Sequence, residues 1–247
     1  MALAGKGIAA YDLPERVAAY DADMELMHPN RGRMVEVALE VLPFPHEAPL
    51  RAVDLGTGTG FLARRFLERF PTANVVAVDG AGAMLDLARA RLGPLASRVE
   101  FVVGDFRRLD SLGFVLEADA VLSTFALHHL TAYEKRAVLR LVASGLRPGG
   151  WFVNADLVLS EWPEVEERIQ ALRVAGIVGR AAGRDPRFAD PAATRAWLDE
   201  MEAREGDQPL PLASDLALAR EAGLHVEVFW KEHREAVWGG PARRGGA

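Results

Sequence analysis

The sequence predicts an α/β protein built on a seven-stranded, mostly parallel sheet. Three observations lead there. From residue 50 to residue 159, short apolar runs alternate with segments of helical periodicity. The runs are of strand length and nearly continuous in apolar residues, as strands covered by helices on both faces require. Near the end, "HVEVFWKEHREAVWGG" (225–240) reads as two strands around a tight turn at Glu232 to Arg234, so the sheet closes on an antiparallel hairpin.

Each element carries its own signal. "LRAVDL" (50–55) is a short strand between Pro49 and Gly56. "FLARRFLERF" (61–70) has apolar residues at 61, 62, 66 and 70, a helical spacing, and Pro71 ends it. "NVVAVD" (74–79) is the second strand, and "AGAMLDLARARLG" (81–93) is a helix with Gly93 as C-cap. "VEFVVGD" (99–105) is the third strand, and "ADAVLSTFAL" (118–127) is a fourth that runs into a loop. In "TAYEKRAVLRLVASGLRPGG" (131–150), Thr131 and Glu134 form a capping box, and Pro148 with its glycines stops the helix. "WFVNADLVL" (151–159) is the fifth strand.

The flanks break this alternation. Residues 1–45 read as an N-terminal helical cap segment. Residues 46–240 form the main domain, with a helical cap insert at 160–224 around the breaker-rich "GRAAGRDPRFADP". Residues 241–247 are expected to be a flexible tail. Both caps are expected over the carboxyl edge of the sheet.

Composition narrows the function classes. The chain of 247 residues is 50% hydrophobic, enough for one domain with an elaborated cap. It contains no cysteine, which excludes disulfides and thiolate chemistry. A net charge of -6 argues against nucleic acid as a partner. No apolar run reaches the ~18 residues of a membrane span. "MALAGKGIAAYDLPERV" has no continuous apolar leader, so a cytoplasmic protein without membrane association is expected.

"VDLGTGTG" (53–60) places glycines at 56, 58 and 60 between a strand and a helix. No Gly-Lys-Ser/Thr follows, which excludes a P-loop. A dinucleotide fingerprint expects glycine where Phe61 stands. Asp54, ahead of the turn, disfavours a pyrophosphate and favours a cation. Asp79 ends the second strand, where a carboxylate can accept both hydroxyls of a ribose. Asp105 ends the third and can accept from an adenine amino group, while the Phe106 N–H meets a ring nitrogen. Together these acids call for a ligand with an adenosine and a positive end, and without a pyrophosphate.

With "VDLGTGTG", "VVAVDGAGAMLDLAR", "VEFVVGDF", "ADAVLSTFALHHL" and "LRPGGWF" in order across 51–159, the chain resembles class I S-adenosylmethionine-dependent methyltransferases of the type 12/25 kind. The resemblance implies a Rossmann-like sheet, S-adenosyl-L-methionine as cofactor, and methyl transfer to an O, N or C nucleophile of a small molecule. It implies that Asp54, Gly56, Thr57, Gly58 and Gly60 hold the methionine end. Asp79 with Gly80 would hold the ribose, and Met84, Gly104, Asp105 and Phe106 would frame the adenine. Ser123 and Phe125 would lie near the sulfonium, with Tyr20 in "VAAYD" (17–21) closing over it.

Three alternatives stay open. A nicotinamide-dependent oxidoreductase lacks a Tyr-x-x-x-Lys pair here, since Tyr133 is followed by Ala137. The others are a non-catalytic S-adenosylmethionine-binding protein and a tRNA-modifying transferase of the carboxymethyl type, which uses a carboxylated cofactor. His128 is a candidate general base at the mouth of the site. The adjacent His128 and His129 are expected to point apart and have no evident third ligand, so no metal is expected. Arg173, Arg180, Arg184 and Arg187 could clamp an anionic substrate. Trp162, Trp197 and Trp238 are candidate interface or pocket aromatics, and a homodimer stays open.

Overall fold

The structure, a computed structural model, describes residues 8, 11–111 and 117–243. The first stretch of the expected N-terminal cap and the tail from 244 onward lie outside the described residues. In chain order the elements are α1 (Pro14–Met27), α2 (Arg31–Glu40), β1 (Arg51–Leu55), α3 (Phe61–Arg69), β2 (Asn74–Asp79), α4 (Gly82–Leu92), β3 (Val99–Val103) and β4 (Ala118–Thr124). Then follow α5 (Ala132–Gly145), β5 (Leu146–Leu157), α6 (Pro163–Ala181), α7 (Pro191–Glu205), α8 (Leu212–Glu221), β6 (Glu227–Glu232) and β7 (Glu235–Pro241). The strand order is β3-β2-β1-β4-β5-β7-β6. Only β7 is reversed, pairing antiparallel with β5 and β6.

Alternation along the strands builds a core on each face. Val53, Leu55, Val76 and Val78 point to the side covered by α5 and α8, where Val138, Leu139 and Leu218 meet them. Ala52, Val75 and Ala77 point to the other side, beneath Met34, Leu62 and Phe66. Each fully buried side chain of this size contributes about 1.5–3 kcal/mol. Both bonds of the Thr131–Glu134 capping box are formed at the start of α5.

Tertiary pairing overrides local signals at three places. The helix expected to reach residue 150 stops at Gly145, and β5 begins at Leu146. Leu146 pairs with Ala118 and Trp151 with Ala120, so Arg147–Gly150 form a bulge inside the strand. A breaker-rich run that stops a helix serves a bulge equally well. The fourth strand ends at Thr124, because Phe125 turns to a φ of 49°. A 3-10 turn, Leu127–His129, follows it.

The cap segments also divide. Met27, Val174, Ile177, Phe188, Leu198 and Met201 form a separate small core joining α1, α6 and α7. In contrast, α2 packs into the sheet core through Met34 and Val35. At the end of the insert, α8 lies against the opposite face, where Lys135 on α5 meets Asp215 at 2.7 Å. Both side chains are 1% exposed.

Candidate functional site

The turn after β1 is set by its backbone. Gly56 has a φ of 73°, and a Cβ there would lie 2.3 Å from the Ala126 Cβ, so both conformation and space demand glycine. Gly58, at a φ of 52°, differs, since a Cβ would meet nothing within 4 Å. Its N–H donates to Asp79 Oδ2 at 2.7 Å, and Ala81 N–H donates to Asp79 Oδ1 at 2.9 Å. The end of β2 therefore holds the turn that follows β1.

A cavity of about 390 Å³ opens at this carboxyl edge of the sheet. Gly56, Gly58, Asp79 and Gly80 line one part of it. Met84, Asp105 and Phe106 line another, and Tyr20 and Phe125 a third. Burial raises the Asp79 carboxyl above its ordinary value, while the Ala81 and Gly58 N–H groups hold it down. Asp105 is ion-paired with Arg107 at 2.6 Å, and Arg107 also reaches Glu134 at 3.3 Å.

The other residues expected to hold a ligand stand behind the wall. Thr57 donates its hydroxyl to Asp54 Oδ2 at 2.5 Å. Asp54 is buried, and its Oδ1 has no hydrogen-bond partner. Burial pushes this carboxyl up to about 7. A Cβ on Gly60 would lie 3.1 Å from the Ala88 Cβ, so this glycine seats the turn on α4. Gly104 donates its N–H to the Asp79 carbonyl at 2.8 Å. Ser123 spends its hydroxyl on the Leu55 carbonyl at 2.9 Å, stitching β4 to β1.

The two histidines do not point apart. On the 3-10 turn their ring centroids lie 4.0 Å from each other. His128 is buried behind the cavity wall, with Nδ1 2.6 Å from Asp156 Oδ1 and Nε2 3.6 Å from Asp207 Oδ1. Burial opposes its charge, but Asp156 and Asp207 outweigh burial and push it up to about 10. With both nitrogens facing carboxylates, His128 keeps its own proton rather than accepting one from a substrate. It is His129 that lines the cavity, lowered from its ordinary value by burial and by the neighbouring His128.

Tyr11, Arg107, His129 and Glu205 also line the cavity and were not singled out as ligand contacts from the sequence. Glu205, the last residue of α7, accepts from Tyr11 Oη at 2.8 Å and from Arg16 Nε at 2.8 Å. Nothing local to Glu205 marks it, whereas Arg107 lies two residues from Asp105 and was within reach of the strand-end argument. Of the arginines considered as an anion clamp, Arg173 pairs with Glu202 and Arg187 with Asp23 and Asp185. Arg180 and Arg184 donate to backbone carbonyls. Trp238 is buried in the sheet core and Trp197 packs on Phe188, while Trp162 is exposed.

These residues fit an adenosine with a cationic end. The orphaned Asp54 oxygen awaits a positive partner, the space at Gly58 admits a ligand close to backbone, and Asp79 retains lone pairs beyond its two N–H bonds. Comparison with known proteins points to a methyltransferase domain. Residues 52–150 match the family model described as a methyltransferase domain. The chain is similar to the demethylmenaquinone methyltransferase of Thermus thermophilus, 36% identical over 153 residues that cover 62% of this chain and 61% of that protein. It is also similar to the trans-aconitate 2-methyltransferase of Streptomyces avermitilis, 31% identical over 141 residues covering 56% and 51%. The chain thus spans less than two thirds of the length of these curated relatives. Among solved structures, the Haloferax volcanii complex between the Trm112 methyltransferase activator and a methyltransferase superposes with a TM-score of 0.66. That match has 21% identity and covers 95% of this chain and 98% of that one, a likeness of fold. Sheet order, matched segment and relatives converge on a methyltransferase domain at residues 52–150.

Proposed function

We propose that the chain transfers a methyl group from S-adenosylmethionine to an oxygen, nitrogen or carbon nucleophile of a small molecule. One observation carries this. Gly58, Asp79 and Asp105, from three different strand ends, face one cavity of about 390 Å³ that Tyr11, Tyr20, Phe125 and His129 also line. That volume suits a small ligand.

Each residue has a part in this reading. Asp79 holds the ribose hydroxyls, and the Gly58 backbone holds the methionine end, with the Asp54 carboxyl buried behind it. Met84, Asp105 and Phe106 hold the adenine, and Tyr20 and Phe125 bound the space beside the sulfonium. Thr57, Gly60, Gly80, Gly104 and Ser123 keep these walls in place. Bound S-adenosylmethionine supplies an electrophilic methyl. The chain's own contribution is alignment of the acceptor and exclusion of water, and alignment can lower a barrier by ~7–11 kcal/mol. Burial raises the Tyr11 and Tyr20 phenols above their ordinary value, so both stay protonated and serve as walls and donors.

A nicotinamide dinucleotide would set its pyrophosphate beside the buried, unpartnered Asp54 oxygen, which charge disfavours. The curated relatives are named for small acceptors, demethylmenaquinone and trans-aconitate. We take the acceptor here to be small as well, and the protein to act in the cytoplasm. The net charge of -6 favours neither tRNA nor another polyanion.

Calorimetric titration with S-adenosylmethionine, its demethylated product and NAD tests this. Either of the first two, at ~100 times its dissociation constant, should add about 2.7 kcal/mol of apparent stability. No binding of either at millimolar concentration, or tighter binding of NAD, overturns it.

A further inference from the structure

We propose that His128, His129 and Asp207 bind a divalent transition-metal ion, of the kind that zinc represents, beside the cavity. This does not depend on the methyl-transfer reading. The three side chains bring one ligand atom each to within 4.8 Å of one another. Asp207 Oδ1 lies 3.1 Å from His129 Nδ1 and 3.6 Å from His128 Nε2. Zinc holds imidazole nitrogen and carboxylate oxygen at about 2.0–2.2 Å, which in a tetrahedron sets neighbouring ligands about 3.3 Å apart. The observed spacings bracket that value. Among the described residues, no other trio of histidine and acidic side chains converges this closely.

The surroundings orient the ligands as a metal site requires. His128 turns Nδ1 to Asp156 Oδ1 at 2.6 Å, so Nε2 can take the ion, which would displace the proton held there. Asp156 is itself fixed by the N–H groups of His128 at 3.0 Å and Leu157 at 2.8 Å. A carboxylate behind a histidine sets its tautomer and raises its ligand basicity. His129 likewise engages its far nitrogen, Nε2, which lies 3.3 Å from Tyr11 Oη. The loop that carries Asp207 is tied to the histidine turn, since Gln208 N–H donates to the His128 carbonyl at 2.7 Å.

Two buried atoms in this cluster, Asp207 Oδ1 and His129 Nδ1, face each other at 3.1 Å without the geometry of a hydrogen bond. The Asp207 side chain is only 8% exposed. A cation at the centre of the trio would satisfy both. Two nitrogens and one oxygen suit zinc and neighbouring divalent ions rather than magnesium or calcium. Because His129 lines the cavity, a further coordination position can open toward it, the arrangement of catalytic rather than structural zinc sites. The expectation that adjacent histidines diverge missed this for a physical reason. Both rings turn toward Asp207, and this third ligand arrives from a loop remote in sequence.

The test uses the full chain, freed of metal with a chelator and titrated with Co²⁺ as a spectroscopic probe. The expected result is about one equivalent of Co²⁺ with visible d–d bands, displaced by Zn²⁺. His129→Gln and Asp207→Asn should each weaken binding by at least ~10-fold, and Asp156→Asn by 10–100-fold as a positioning residue. Melting curves establish which variants fold. If Asp207→Asn does not fold, His129→Gln decides alone. A folded wild-type protein that binds neither Co²⁺ nor Zn²⁺ overturns the proposal, as does unchanged binding by folded His129→Gln. S-adenosylmethionine titration of the same samples keeps the two readings apart, since failure to bind cofactor with metal binding intact counts only against methyl transfer.

Discussion

Asp79 Oδ2 accepts the backbone N–H of Gly58 at 2.7 Å, so the carboxylate proposed to hold the ribose also shapes the turn proposed to hold the methionine end. Its second oxygen takes the Ala81 N–H at 2.9 Å. Two walls of the cavity therefore depend on one side chain.

Asp79→Ala should weaken S-adenosylmethionine binding by at least ~10-fold, because charge-assisted bonds to its hydroxyls are lost. It should also lower fold stability by about 1–3 kcal/mol, since two backbone N–H groups lose their acceptor. An acid at an open strand end would give only the first effect. Calorimetry and thermal melting of one variant measure both, and intact affinity would remove Asp79 from the site.

The two glycines should respond differently. Gly56→Ala meets Ala126 at 2.3 Å as well as an unfavourable φ, and should cost more than the roughly 1–2 kcal/mol of a left-handed residue alone. Gly58→Val has room but the same backbone strain, and should leave a folded chain that no longer binds cofactor. Denaturant midpoints and cofactor titration of both proteins separate fold from site. Normal cofactor binding by Gly58→Val would show that the ligand lies elsewhere.

Asp54 gives a pH signature. Burial pushes its carboxyl up to about 7, opposed by the Thr57 hydroxyl. The folded chain then keeps a proton that the unfolded chain releases. The stability it contributes is complete below the ordinary carboxylate value and is lost as pH rises through about 7. Asp54→Asn should abolish this loss, so wild-type stability should fall relative to the variant between about pH 4 and pH 7. A cationic ligand end favours the ionised acid. Affinity for S-adenosylmethionine should therefore rise roughly tenfold from about pH 6 to pH 8, and stay flat in Asp54→Asn. A flat wild-type profile would detach Asp54 from the ligand.

Lys135 and Asp215 join α5 to α8 as a buried pair 2.7 Å apart. Burial raises the Asp215 carboxyl to about 6 even with the ammonium opposing it. Lys135→Met should cost about 3–5 kcal/mol by leaving a buried acid unpaired, while Lys135→Met with Asp215→Leu should be close to neutral or stabilising. Chemical denaturation of the single and double variants checks the difference. A double variant as unstable as the single one would mean that the pair does more than satisfy its own charges.

Much of the candidate cavity is legible in the sequence because its signals are local. The turn at 56–60 follows β1 directly, and Asp79 and Asp105 stand at or just past the strand ends that fix which edge they share. Gly58, Asp79, Met84, Asp105 and Phe106 accordingly line one cavity. The family resemblance puts Ser123 near the ligand, yet its hydroxyl bonds to the Leu55 carbonyl. Sequence gives the strand but not which neighbour will claim a side chain.

The sequence by itself determined the strands, the helices between them, the capping box of α5 and the reversed hairpin. Each follows from periodicity and turn chemistry within a few residues. Tertiary structure decided the rest. Leu146 joins β5 because Ala118 is there to pair with it, against the helical pattern of its own segment. Tyr11 and Glu205 hydrogen-bond although 194 positions apart, and Asp207 reaches the histidine turn from the same loop region. Those contacts follow from the burial of Met27 against Ile177, Leu198 and Met201, which seats the cap on α1. Burial depends on which surfaces meet, and no window of neighbouring residues contains that information.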